Sequence, residues 1–136
     1  MPEFSPKSKA RLLTCHHDIQ KLFNEVIKYR DCAIIVGHRG QEGQDEAFRN
    51  GFSKLRWPGS KHNSRPSLAV DVMPYFECSP HIRWDDQFST YNFIGFVQGI
   101  AETLGIVIRS GGDWDMDDDF SDQTFLDLAH FELVEE

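Results

Sequence analysis

An aspartate in the middle of an apolar run is the feature that most constrains this chain. Asp71 interrupts the run 68–73, Leu-Ala-Val-Asp-Val-Met, which is typical of a buried β-strand. A carboxylate in such a strand is costly unless a proton, a partner or a metal compensates its charge. His62 lies in the turn-rich segment just before, and a loop folding back on the strand could bring the two together. An ion pair of Asp71 with an arginine, and a solvated His62, is the alternative.

A second histidine and carboxylate lie near the C-terminus. His130 belongs to the strand-like run 129–134, and Asp127 stands on the approach to it. Two histidines and a carboxylate, with one coordination position open to water, are a standard catalytic zinc set. Zinc hydrolysis also needs a carboxylate that is not a ligand to accept a proton. Asp127 and Glu132 both flank His130, so either could serve, although Glu132 could instead support the histidine or form an ion pair.

Composition describes an ordinary globular chain of 136 residues, which we expect to form a single domain, 1–136. Its net charge of -8 is uneven, because residues 111–136 hold ten acids and no Lys or Arg. The first 110 residues therefore hold the other twelve acids and all fourteen bases. Since no broad Lys/Arg field is present, we do not expect nucleic acid as a partner.

The cysteines and the N-terminal sequence indicate the compartment in which the chain is made. Its three cysteines cannot all pair with one another and form no C-x-x-C motif, so we expect reduced thiols and no cysteine zinc site. The N-terminus lacks the apolar region of a signal peptide, and no segment approaches the ~20 apolar residues of a membrane span. We therefore expect synthesis in the cytoplasm and no membrane span. We also expect a monomer.

Hydrophobic spacing predicts seven secondary-structure elements. Apolar residues at three- and four-residue steps predict one amphipathic helix from Pro6 to about Tyr29. The other predicted elements are helices at 41–50 and 86–104 and strands at 32–36, 68–73, 106–109 and 129–134. This order describes an α+β domain with a small, mainly antiparallel sheet flanked by helices.

Three short motifs carry the histidines and carboxylates: Ser60-Lys61-His62, Ala69-Val70-Asp71 and Asp127-Leu128-Ala129-His130. The block from Trp57 to Tyr75 and the stretches at 37–40, 111–114 and 130–133 accompany them. Together they resemble the S-x-H, A-x-D and (D/E)-x-x-H motifs of the zinc D-alanyl-D-alanine carboxypeptidase and L-alanyl-D-glutamate endopeptidase family, which includes many phage endolysins. The resemblance covers about residues 34–134.

This resemblance implies a zinc site at the sheet, with His62, Asp71 and His130 as ligands and Asp127 as the general base. The loop between His62 and Asp71 is two residues longer here than in many members of the family.

The resemblance also implies roles for three residues outside the metal set. Arg39 would polarise the scissile carbonyl or hold a substrate carboxylate, although a surface ion pair is the alternative. Ser60 and Gln44 match positions that line the substrate cleft.

The function implied is a zinc peptidase acting on the peptide stems of bacterial peptidoglycan. We expect an L-alanyl-D-glutamate endopeptidase, with D-alanyl-D-alanine carboxypeptidase as the alternative. A phage lysis enzyme of this kind would be made in the host cytoplasm and released through a holin-formed lesion. A non-catalytic metal-binding module of the same fold is a further alternative, against which the presence of Asp127 argues.

The acidic run Asp113–Asp119 suggests a second metal site. Alternate aspartates from Asp113 match the first liganding positions of a calcium loop, but Asp118 stands where that loop requires Gly and Thr124 where it requires Glu. The run is therefore not an EF-hand. A looser Ca²⁺ site, the basis for a calcium-dependent binding module, and a solvated loop are both open.

Overall fold

The fold joins four α-helices to a four-stranded antiparallel sheet within the described part of the chain. The computed structural model describes residues 2–117, 119, 121 and 127–134. The helices are α1 (Pro6–Leu12), α2 (His17–Val26), α3 (Gln41–Arg49) and α4 (Gln87–Leu104), with a 3-10 helix at Lys61–Asn63. The strands are β1 (Cys32–Val36), β2 (Ala69–Pro74), β3 (Ile108–Ser110) and β4 (His130–Leu133). This architecture confirms the predicted α+β class.

The two strands that carry the candidate site lie at the centre of the sheet. The strand order is β1-β2-β4-β3, and each neighbouring pair is antiparallel. In the register of β2 against β4, Asp71 lies directly opposite His130. Side chains of directly opposed residues on one face are close neighbours. Residues nearly sixty positions apart are thereby brought together.

The core occupies the face of the sheet covered by α2 and α4. Phe131 of β4 is fully buried there, with its ring 5.5 Å from that of Phe23 and 6.3 Å from that of Phe93. Because side chains alternate along a strand, the neighbours of Phe131 in β4, His130 and Glu132, point to the other face. Alternation along β4 thus separates the apolar core from the polar site.

The predicted single helix from residue 6 to 29 is wrong, because the chain forms α1 and α2 with a turn between them. The ring Nδ1 of His16 accepts the amide N–H of Asp18 at 3.1 Å and caps α2. The backbone also pairs with a distant segment, since the His16 N–H donates to the Ser67 carbonyl and the Ser67 N–H to that of Thr14. Periodicity along one segment cannot reveal such a partner.

No helix in the described part of the chain is long and apolar enough to cross a bilayer.

Replacing Phe23 by alanine tests the core. The ring is fully buried against Phe131, so Phe23→Ala should lower the free energy of unfolding by about 3–5 kcal/mol, measured by urea denaturation. Phe88, whose side chain is 92% exposed, provides the matched control, and Phe88→Ala should change stability by less than about 0.5 kcal/mol. Equal effects of the two substitutions would contradict this placement of the core.

Candidate metal centre

Three side chains from separate elements converge on the face of the sheet opposite α2 and α4. His62 comes from the 3-10 helix, Asp71 from β2 and His130 from β4. The Nε2 atom of His62 lies 3.1 Å from Oδ1 of Asp71 and 3.3 Å from Nδ1 of His130. The third side of this triangle, from Asp71 Oδ1 to His130 Nδ1, measures 3.4 Å. The structure therefore brings the three predicted ligands to one point, where they could hold a metal ion.

The outer nitrogen of each ring determines which atom faces the triangle. The Nδ1 atom of His62 lies 2.8 Å from the carbonyl oxygen of Gly37, and Nε2 of His130 lies 2.8 Å from Oε1 of Glu132. A carbonyl and a carboxylate only accept hydrogen bonds, so both outer nitrogens carry the proton. A ring that is protonated only at its outer nitrogen presents a lone pair to the triangle, as does the carboxylate of Asp71.

Three acceptor atoms in mutual contact require a cation between them. Tetrahedral bonds of about 2.0–2.1 Å to one metal ion place its ligand atoms roughly 3.3 Å apart, which matches the observed sides of 3.1–3.4 Å. Two imidazole nitrogens and one carboxylate oxygen are also a donor set that zinc accepts, with a fourth position left open. The residues present fit a zinc ion.

Without a metal, a proton supplies the positive charge. Burial disfavours charge on the Asp71 carboxylate, yet hydrogen bonds with His130 and His62 hold its pKa below the usual range. Burial likewise disfavours a charged His130 ring, but its bonds with Asp71 and Glu132 raise its pKa to about 9. The site is thus built to hold positive charge among these side chains.

Glu132 links His130 to two basic side chains. One carboxylate oxygen contacts the ring of His130, and the other lies 2.6 Å from Nη2 of Arg109 and 3.3 Å from Nζ of Lys61. Although burial opposes its ionisation, the bonds with His130 and Arg109 lower the pKa of Glu132 to about 2. Glu132 is therefore a permanent anion that orients the imidazole of His130.

Asp127 lies beside the triangle and is not part of it. Its Oδ2 atom is 3.9 Å from Nδ1 of His130, and its side chain is 29% exposed. Burial, followed by the nearby charge of Asp71, raises the pKa of Asp127 to about 6.

The backbone of Asp127 packs closely against Gly111. The Asp127 N–H donates to the carbonyl of Gly111 at 2.9 Å. A Cβ on Gly111 would lie 2.0 Å from the carbonyl oxygen of Asp127, so only glycine permits this approach.

Arg39 reaches the same centre from the loop after β1. Its Nη2 atom lies 3.6 Å from Oδ2 of Asp71, and its Nη1 donates to Oε1 of Gln44 at 3.2 Å. Gln44 is fully buried, and its amide nitrogen donates to Ser53 and to the carbonyl of Leu55. Gln44 thus lies behind Arg39, and is not among the described residues that line the cleft, where the sequence resemblance placed it.

Ser60 and Asn63 hold the short helix that carries His62. The hydroxyl of Ser60 accepts the His62 N–H at 3.2 Å, and the Ser60 N–H donates to Oδ1 of Asn63 at 3.0 Å. The amide nitrogen of Asn63 also donates to the carbonyl of Arg39 and to Gln44. Asn63 was not expected from the sequence, where its only signal is the three-residue capping-box spacing from Ser60.

Two cavities meet at the site. One, here called the basic cavity, has a volume of about 550 Å³ and is lined by Lys54, Lys61, Arg109, Trp114, His130 and Glu132. The ring of Trp114 lies 5.3 Å from that of His130, so this tryptophan is a cleft wall. The other, here called the Trp84 cavity, has a volume of about 510 Å³ and is lined by Trp84, Val36, Asp71 and Ala129. Both cavities include Arg39, Phe52 and Asp127.

Alternate aspartates of the acidic run form a group separate from the His62, Asp71 and His130 triangle, although Trp114 of the same run packs beside His130. Asp113, Asp115 and Asp117 each present an oxygen within 4.8 Å of the others. Asp113 is buried, whereas Asp115 and Asp117 are exposed, and exposed acidic groups are commonly found together without an ion. Asp118 and Thr124 lie outside the described residues. The sequence match to a calcium loop is poor at both of these positions, and the spacing of the described aspartates does not by itself distinguish calcium from another ion or from none.

Neutralising Glu132 tests whether its carboxylate supports zinc binding by orienting the ring of His130. Glu132→Gln should weaken zinc binding about 10–100-fold, because the amide oxygen can still accept the ring N–H but no longer balances its charge. Glu132→Ala should weaken it further. Competition with a chromophoric chelator measures the affinity. Glu102→Gln, an exposed change on α4, is the matched control and should leave affinity unchanged. Zinc affinity that is insensitive to both Glu132 substitutions would contradict the role of Glu132.

Comparisons with known proteins address the chain as a whole. A sequence model of the family described as phage L-alanyl-D-glutamate peptidase matches residues 2–134. The L-alanyl-D-glutamate peptidase of Escherichia phage T5 is 28% identical over 137 residues, which cover 97% of this chain and 98% of that protein. The fold resembles the crystal structure of the Serratia marcescens L-Ala D-Glu endopeptidase ChiX, with a TM-score of 0.69 and 22% identity over 97% of this chain and 90% of that one. Since the family model spans nearly the whole sequence, the chain belongs to the phage L-alanyl-D-glutamate peptidase family.

Proposed function

We propose that this protein is a zinc-dependent peptidase that hydrolyses the amide between L-alanine and D-glutamate in the peptide stem of bacterial peptidoglycan. The observation that carries the proposal is the triangle of His62, Asp71 and His130, with Asp127 and Arg39 beside it, in a chain of this family. The open cleft next to the triangle gives a substrate access to all five side chains.

His62, Asp71 and His130 would hold the zinc ion, as the size of their triangle indicates. Zinc bound there supplies a Lewis acid that lowers the pKa of a water molecule towards neutrality and polarises a carbonyl group. Gly37 and Glu132 keep the two rings in the tautomers that this binding needs. The protein thus contributes a preorganised, acceptor-lined site.

Asp127 would act as the general base. It accepts a proton from water as the water oxygen attacks the alanyl carbonyl, and it returns the proton to the glutamate nitrogen as the C–N bond breaks. Its partial burial and the position of its Oδ2 atom, 3.9 Å from Nδ1 of His130 and outside the triangle, suit a group that exchanges protons with a water molecule at the centre. The close contact with Gly111 holds its backbone in place.

Arg39 would stabilise negative charge on the substrate. Its guanidinium lines both cavities and can donate to the oxyanion that develops at the carbonyl, or to a neighbouring substrate carboxylate. Gln44 would act through Arg39, because its buried amide oxygen accepts from the guanidinium. Ser60 would act mainly through His62, whose helix it caps, while it also lines the basic cavity.

The cleft favours an endopeptidase over the D-alanyl-D-alanine carboxypeptidase alternative. Cavities of about 550 and 510 Å³ meet at Asp127 and Arg39, so a substrate can extend beyond the cleaved bond in both directions. A carboxypeptidase needs room for only one residue on the leaving side.

We further propose that the enzyme works in phage lysis as a monomer. It would be made in the host cytoplasm and reach peptidoglycan through a holin-formed lesion. Membership in a family of phage peptidases supports the cell wall as the place of action.

Asp127→Asn tests the base and the reaction together. The variant should keep about one zinc ion per chain, because Asp127 is not a ligand, and should lose roughly 10²–10⁴-fold in kcat. Mass spectrometry of muramidase-solubilised peptidoglycan identifies the product, and elemental analysis gives the metal content. Glu102→Gln, which removes an exposed carboxylate, serves as the control with full activity.

The alternatives give different products in the same experiment. Loss of only a terminal D-alanine by the wild-type protein would indicate a carboxypeptidase. A wild-type protein that binds zinc but cleaves no stem bond would be a non-catalytic metal-binding module.

A further inference from the structure

The two cavities that meet at Asp127 differ in charge. Beyond the shared Arg39, the basic cavity contains Lys54, Lys61 and Arg109, so that four basic side chains stand against the carboxylates of Asp127 and Glu132. In the Trp84 cavity, Arg39 is the only basic side chain among the described lining residues, and it faces two carboxylates. An anionic ligand is therefore favoured on one side of the cleft and a neutral ligand on the other.

The Trp84 cavity also has an aromatic and aliphatic wall. Trp84 is 59% exposed and Phe52 is 74% exposed, and Val36 and Ala129 complete the apolar lining. The cavity is continuous with the reacting groups, since Asp71 and Asp127 lie on its surface. A ligand there would place apolar surface on the indole ring while one end remained at the site of cleavage.

The proposed substrate has the same asymmetry, so this inference rests on the proposed function. On the alanine side of the L-Ala–D-Glu bond the chain is uncharged, because the alanine nitrogen is acylated by the lactyl group of muramic acid. On the other side, D-glutamate and the rest of the stem carry carboxylates. One residue spans about 3.8 Å, so the muramyl sugar begins close to the cleaved carbonyl.

We propose that the Trp84 cavity is a binding site for the muramyl-L-alanyl half of the substrate, with the indole of Trp84 packed against the C–H face of the sugar ring. The basic cavity then takes the D-glutamyl half, whose carboxylates face Lys61 and Arg109. Charge complementarity assigns this direction, because the reverse direction would move the carboxylates away from Lys54, Lys61 and Arg109 and leave Arg39 as their only basic partner among the described lining residues.

The experiment compares two substrates that differ only in the group that acylates the L-alanine nitrogen. One is the disaccharide muropeptide released by muramidase, and the other is the same stem peptide with an N-acetyl group on its L-alanine, which keeps that nitrogen uncharged. Trp84→Ala should lower kcat/KM for the muropeptide about tenfold more than for the N-acetyl peptide, mainly through KM. Trp84→Phe, which keeps an aromatic ring, should show a smaller difference.

Phe88→Ala is the matched control, because Phe88 is a fully exposed aromatic side chain that lines neither cavity. It should leave both substrates unaffected, and circular dichroism should show that all variants are folded. Equal losses on the two substrates, or no loss on either, with Trp84→Ala would overturn the sugar site. Failure of the wild-type protein to cleave either substrate would instead refute the proposed function.

Discussion

Mutual repulsion among three acceptor atoms is the constraint on which the site depends. Lone pairs of His62 and His130 and an oxygen of Asp71 face one another at 3.1–3.4 Å, a contact that only a cation makes favourable. The carbonyl of Gly37 and the carboxylate of Glu132 maintain the arrangement, because each requires the proton on the outer ring nitrogen. In the metal-free protein the pKa of His130 is raised, so a proton on its ring reduces this repulsion. A divalent ion between the three atoms would reduce it further.

The fold brings these three atoms together through the register of β2 against β4 and through the alternation of side chains along β4. The register of β2 against β4 places Asp71 opposite His130, and alternation along β4 sends Phe131 into the core while its neighbours face the site. A slip of one residue would exchange the two faces and bury the polar set among α2 and α4. The apolar core therefore determines where the metal centre can form.

The surroundings of the centre divide the cleft into two chemical environments. Lys61 and Arg109 neutralise Glu132 on one side, so the network that orients His130 also makes that side basic. Trp84 and Phe52 line the other side, where no basic side chain other than the shared arginine lies among the described lining residues. One cleft can therefore distinguish the two halves of an asymmetric substrate.

Much of the fold and of the metal centre could be predicted from the sequence, because strand alternation and short motifs are local. The apolar runs around Asp71 and His130 predicted two strands, and the motifs that carry the family resemblance predicted three side chains that do converge. The turn that divides the predicted helix at 6–29 depends on backbone bonds with Ser67, and no pattern within that segment encodes them. The contacts of Glu132 with basic side chains and the unlike walls of the two cavities likewise join residues distant in the chain. The sequence determined the donor atoms, and only the tertiary structure decided their spacing, their tautomers and the shape around them, since these arise from contacts between separate elements.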